Sequence, residues 1–284
     1  MAEQQIKKQN PLSQWFRQPK VYIKLPSNGE FYPHGALDKS ANGEYPVYAM
    51  NAKDELMFKT PDALLTGQST VEVIKSCIPA IQDPWSMPSI DLDVALVAIR
   101  IATYGQKMEV NANCPHCKAG NSYDVDLVAW LGTIGNFEYH TEVNCDPLMV
   151  HVRPYSYQEL SKTNIKTLEQ QRLFNTINDD TLTDEQKLDI FGKSFVRITE
   201  LTVDVIAGCI KRIDTPNGFT EDAAEIKEFI NNASKDIFDK IAEHIQSMKK
   251  EIEFKPMDVK CQECEKPYEM PITMDQSNFF NVRS

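Results

Sequence analysis

Two pairs of cysteines in this chain stand two residues apart: Cys114 and Cys117 in NCPHCKAG, and Cys261 and Cys264 in KCQECEKP. A thiolate is a soft metal ligand, and a CxxC turn aims two of them at one point. Each pair is half of a tetrahedral site. Joined, they form a closed four-thiolate site for zinc, with no position left for a reactive water, so its role is structural. Iron accepts the same ligands, but four-cysteine sites without redox duty favour zinc. His116, inside the first pair, is expected to face solvent. The pairs lie 143 residues apart, against about 15–20 in a small zinc ribbon. Their flanks nevertheless match. KMEVNAN precedes the first and NSYDVDL follows it; IEFKPMDVK precedes the second and PYEMPITM follows it. Both read as strand, tight knuckle, strand, with Met108, Val110, Tyr123, Val125 and Leu127 alternating. The rival reading is two separate redox pairs. A redox CxxC opens a helix after a strand, whereas here turn residues and a strand follow each pair.

The chain has seven cysteines and no secretion signal, so a disulfide framework is a poor reading. Cys77 and Cys209 sit in apolar helical patterns as small hydrophobes. Cys145 receives no role.

The elements that must position the two knuckles are read from turns and periodicity. Asn28–Gly29 and Asn42–Gly43 are hairpin-turn signals, which predicts short antiparallel strands from Lys20 to Met50. Pro26, Pro33 and Pro46 keep those strands at edges. Short helices follow from Lys53, the second capped by Ser69 and lined by Val71, Ile74 and Ile78. SIDLDVALVAIRIATYG is the clearest helix, with Ser89 as its N-cap, Asp91 in the first turn and Gly105 at its end. It is apolar nearly all round and belongs at a core centre. MVHVRP reads as a strand. Helices are then expected over SYQELSKTNIKTLEQQRLFNTI and over DEQKLDIFGKSFVRITELTVDVIAGCIKRI, the latter opened by a Thr183–Gln186 capping box. Leu188, Phe191, Phe195, Ile198, Val205 and Cys209 keep helical spacing along it, with a slip near Thr202. A last helical stretch breaks at Asn232–Ser234, and its second part is striped by Ile237, Ile241, Ile245 and Met248.

The class is therefore α+β. Residues 1–20 form a flexible basic arm. Residues 21–150 form an α+β domain of short antiparallel strands and helices with the first knuckle. Residues 151–250 form a mainly helical insertion. Residues 251–284 carry the second knuckle and a tail that packs back on the first domain, closing one four-cysteine site.

Composition narrows the function. The net charge is −11, with only the first 20 residues basic. An acidic body repels phosphate backbones. The start lacks the apolar core of a signal peptide and no run spans a membrane, so a cytosolic product is expected. No HExxH, GxSxG or GxGxxG occurs. Gly192–Lys193–Ser194 lacks the upstream glycine of a phosphate loop, since position 187 is lysine. The five histidines pair with no obvious acid or nucleophile. An enzyme is not expected.

Five stretches come in one order: LPSNGEFYP, PVYAMNAKDELMF, VIKSCI, IDLDVALVAIRIATYG, and NCPHC followed by YDVDL. In that order they resemble the baseplate hub and hub-assembly proteins of contractile-tailed, T-even-like bacteriophages. The resemblance covers roughly residues 20–130; the second knuckle and the tail MDQSNFFNVRS are also similar. It implies a protein without a substrate. Such a protein holds other baseplate or tail proteins together, or chaperones the hub during assembly in the host cytoplasm, with or without entering the virion. Trp15, Phe16, Phe279 and Phe280 are its candidate partner anchors; Phe279 and Phe280 could equally dock on their own core. The alternative function is a zinc-ribbon protein that binds nucleic acid. It needs a basic, aromatic face, whereas Asp124, Asp126, Glu263, Glu265 and Glu269 make the knuckle flanks acidic.

Overall fold

The computed structural model describes residues 11–12, 15–58, 67–134, 137–175 and 183–272. It is α+β, and its buried side chains form two clusters. Arg17 fixes the chain before the first strand. Its guanidinium donates to the carbonyls of Ala49 and Ser76, both at 2.6 Å, and to the buried Asp54 carboxylate at 3.2 Å. The arm expected over 1–20 therefore does not extend to residue 20; residues 1–10 lie outside the described part.

β1 (Pro19–Lys24) pairs antiparallel with β2 (Glu44–Tyr48). Ile23, Tyr45 and Val47 point into the core, and Pro46 is tolerated because a two-stranded ribbon has a free edge. Neither Asn-Gly pair closes a hairpin, contrary to expectation. Asn28 and Gly29 (φ 52° and 75°) and Gly43 (φ 72°) make turns inside one long connection between β1 and β2. The connection is held from elsewhere in the chain: Asp91 accepts Ser27 N–H at 2.8 Å, Ser27 Oγ at 2.6 Å and Tyr32 Oη at 2.9 Å. A buried carboxylate thus holds the Asn28–Gly29 turn, while at Asn42–Gly43 the Asn42 Oδ1 accepts Glu44 N–H locally at 3.1 Å.

α1 (Ala52–Phe58) and α2 (Gln68–Cys77) follow. Gly67, not Ser69, caps α2. At φ 78° Gly67 starts the helix early, and a Cβ there would stand 2.8 Å from Tyr157 Oη. Ser69 is buried within the first turn and donates to Met57 O at 2.8 Å. α3 (Ser89–Tyr104) begins after Pro88, so Ser89 is its first residue rather than its cap; Ser89 N–H donates to Tyr155 O at 2.6 Å. Leu92 and Val94–Ile99 are all buried, because α3 packs against β1, β2, α1's partner α2 and the helix after the first knuckle.

β3 (Lys107–Asn113) and β4 (Gly120–Asp126) form the first knuckle hairpin, with Met108 opposite Val125 and Val110 opposite Tyr123. Asp126 then caps α4 (Leu127–Ile134), accepting the N–H groups of Val128 and Ala129.

β5 (Glu142–Cys145) and β6 (Leu148–Val152) begin the second cluster. β6 contains both residues 150 and 151, so the expected domain boundary falls inside a strand. α5 (Tyr157–Asn175) opens on a reciprocal Ser156–Glu159 cap, and α6 (Asp184–Gly208) on the Thr183–Gln186 capping box. The helix expected to run through to Ile213 stops at Gly208. CIKRIDT instead supplies β7 (Ile210–Thr215), which pairs with β6 and then with β8 (Gly218–Thr220). The reason is tertiary: the edge of β6 captures this segment, and Ile210 and Ile213 then face the cluster. The insertion is mainly helical, as expected, and its helices cover a four-stranded sheet, β5–β6–β7–β8, that begins before it at Glu142. α7 (Ala223–Asn232) and α8 (Lys235–Ile252) break where expected and bury Ile226, Ile230 and Ile241.

β9 (Met257–Lys260) and β10 (Pro267–Met270) form the second knuckle hairpin. They return to the first cluster: Val259 and Met270 are buried there, and Phe254 stacks on Trp130 at 4.1 Å.

Burial pushes the Asp91 carboxyl up to about 6, against the hydrogen bonds from Ser27 and Tyr32, from an ordinary value of 3.8. A raised value means that the folded state binds the proton more tightly, so this group's contribution falls as pH rises from about 4 to about 6. Asp91→Asn has no proton to lose. Urea unfolding of both proteins should show the difference shifting in the variant's favour across that window by on the order of 2–3 kcal/mol. A pH-independent difference would reject the assignment.

Candidate metal centre

Each knuckle is built by the same backbone bonds. Cys114 N–H donates to Ala119 O and Lys118 N–H to Cys114 O, both at 2.9 Å. In the second, Cys261 N–H donates to Lys266 O at 3.1 Å and Glu265 N–H to Cys261 O at 3.0 Å. Lys118 (φ 65°) and Glu265 (φ 57°) occupy the matching left-handed position. The strand–knuckle–strand pattern of the sequence is therefore present twice, with one geometry.

The two hairpins meet so that all four Sγ atoms lie within 4.8 Å of one another. Cys114 Sγ is 3.8 Å from Cys264 Sγ, and Cys117 Sγ is 3.6 Å from Cys261 Sγ. A disulfide needs about 2.05 Å. A tetrahedron with metal–sulfur bonds of about 2.3 Å has edges of roughly 3.8 Å, so the spacing fits a four-coordinate dication. Cys114 and Cys261 are buried, Cys264 is half-buried and Cys117 is exposed. The exposed His116 contributes no atom to this cluster.

Backbone donors prepare the sulfurs for charge. His116 N–H reaches Cys114 Sγ at 3.4 Å and Cys264 N–H reaches Cys261 Sγ at 3.5 Å. The Cys264 N–H is the largest cause that pulls the Cys261 thiol down to about 6. Cys117 is pushed up to about 12: Ala119 N–H acts downward, but desolvation and the neighbouring sulfurs outweigh it. Protons shared among crowded sulfurs are what a bound cation would displace.

Sequence reasoning missed Asn121, which is buried beside Cys261. The available signal was its phase: Asn121 shares a strand face with Tyr123 and Val125, where an apolar residue was due. On the knuckle flanks Asp124, Asp126, Glu263, Glu265 and Glu269 are exposed, as are Lys118, Lys260 and Lys266.

Of the candidate partner anchors, Trp15 is 78 % exposed and Phe16 also faces solvent, in a groove with Tyr48, Asn51 and Pro79. Phe279 and Phe280 lie outside the described residues. A second apolar surface lies on α6. Leu188, Phe191, Phe195 and Ile198 are exposed along α6, Leu188 by 71 % and Phe195 by 62 %. Of the same helical spacing, Val205 is half-buried and Cys209, just past the helix, is buried. The helix turns a different face, with Ser194 buried, inward. Among the described residues no helix is long and apolar enough to cross a membrane.

Residues 18–281 match a family model described as T4 bacteriophage base plate protein. Nothing matches among curated proteins or among solved structures. The match spans both knuckles and everything between them, and on that extent the chain belongs to the T4 bacteriophage base plate protein family.

Proposed function

We propose that this chain is a non-catalytic structural or assembly subunit of the baseplate hub, working in the infected cell's cytoplasm and in the tail it builds. One structural zinc on Cys114, Cys117, Cys261 and Cys264 closes its body, and exposed apolar side chains bind neighbouring baseplate proteins. Family membership supports the setting. The observation that carries the binding role is the exposed stripe on α6. Leu188, Phe191, Phe195, Ile198 and Thr202 alternate by three and four residues, a heptad seam. A seam of that period takes a helix, so the expected occupant is an amphipathic helix of a neighbouring subunit. Trp15 and Phe16 add aromatic area at the other end of the chain.

The metal reading predicts one zinc per chain by mass spectrometry of the native protein. Cys261→Ser with Cys264→Ser should lose that zinc and lower the thermal midpoint by roughly 10 °C or more. A metal-free wild type, or a double variant as stable as wild type, would overturn it.

The binding reading predicts that Leu188→Ser with Phe195→Ser keeps its zinc and its melting temperature. It should nevertheless fail to restore infectious tails to a phage lacking the gene, with titre down at least about tenfold, as for loss of an interface anchor. Full complementation by this variant would remove α6 from the interface. Normal tails without the gene would remove the whole proposal.

A further inference from the structure

We infer that Asn121 is the positioning residue of the metal centre: one buried amide that locks the two knuckles together and donates to a ligand sulfur. The inference rests on reading the four cysteines as a metal site. Asn121 is 4 % exposed. Its Nδ2 donates to Ala119 O at 2.9 Å, inside the first knuckle, and to Cys261 Sγ at 3.7 Å, inside the second. Its Oδ1 accepts Gln262 N–H at 2.8 Å. Both donors and the acceptor are used, and the Gln262 N–H fixes which end of the amide is oxygen. Gln262 answers with Nε2 to Ser122 O at 3.1 Å. The side chain therefore spans two segments about 140 residues apart in sequence and touches both the frame and a ligand.

The chemistry follows from charge. Four thiolates around a dication leave an excess of two negative charges. N–H donors to sulfur spread that excess and hold the sulfur at its bonding position. Cys261 receives two such donors, the Cys264 N–H and Asn121 Nδ2. A neighbouring cross-knuckle bond, Tyr123 Oη to Lys260 O at 2.8 Å, touches no ligand. It is the natural control for a link that is only structural.

The test compares wild type, Asn121→Asp and Tyr123→Phe, each loaded with zinc and, separately, with cobalt. Asn121→Asp keeps an acceptor for Gln262 N–H but has no N–H for the sulfur. Expected is zinc release to a chelator about 10–100-fold faster than from wild type, with the sulfur-to-cobalt charge-transfer band moved to lower energy. Tyr123→Phe should leave the band in place. An unmoved band with an unchanged release rate in Asn121→Asp overturns the role of Asn121 while leaving the metal site standing. A wild type that takes up neither metal overturns both. Should the variant not fold, cadmium-loaded wild type decides by NMR: coupling between the metal and the Asn121 side-chain N–H supports the assignment, and its absence overturns it.

Discussion

Four sulfurs held within 4.8 Å of one another, drawn from two segments 143 residues apart, are the constraint on which the rest of this molecule depends. As thiolates they repel, so the cluster needs a cation or shared protons to persist. When it is closed, Cys114 and Cys264 are fixed together 150 positions apart in sequence. Closing a loop of that length removes on the order of 5 kcal/mol of chain entropy from the unfolded state in the loop-closure description. The second knuckle does not act by the sulfurs alone. Val259 and Met270 enter the first core, Phe254 stacks on Trp130, and Tyr123 and Tyr268 meet edge to face. The apolar contacts bring the hairpins together, and the cluster gives them one register.

That closure makes a large insertion tolerable. With both its ends held at one point, the segment between the knuckles can build a second core without loosening the first. It does so around β5–β6–β7–β8, with Ile226, Ile230 and Ile241 from the covering helices. α5 and α6 then leave this core as a helical pair, and α6 carries its apolar seam into solvent. An exposed stripe of that kind is a solubility liability in a free monomer and an asset in an assembly. A base plate family member has the assembly available.

Much of the site was legible because its signals are local. The two CxxC pairs, their flanking alternation, the Thr183–Gln186 box and the break at Asn232–Ser234 each occupy a few consecutive residues. The misreadings share a physical cause. Ser69 lost the cap because Gly67 could adopt a left-handed turn beside Tyr157, a residue 90 positions away. Asn28–Gly29 became a turn in a long connection because a buried Asp91 holds Ser27 and Tyr32 on either side of it. CIKRI left its helical period because β6 offered a free edge.

Residue type and spacing by themselves determined the α+β class, the central buried helix and the two CxxC pairs that make up the cysteine cluster. These are properties of composition, of short periodicities and of the donor chemistry of sulfur. The matching flanks already point to one shared site; only the tertiary structure decided that Asn121 joins the two knuckles and which face of α6 remains outside. The first outcome depends on contacts between segments about 140 residues apart, the second on how α6 packs against its sequence neighbours α5 and α7. An apolar stripe has the same spacing whether its partner is the chain's own core or another protein; burial, which only the folded molecule defines, separates the two.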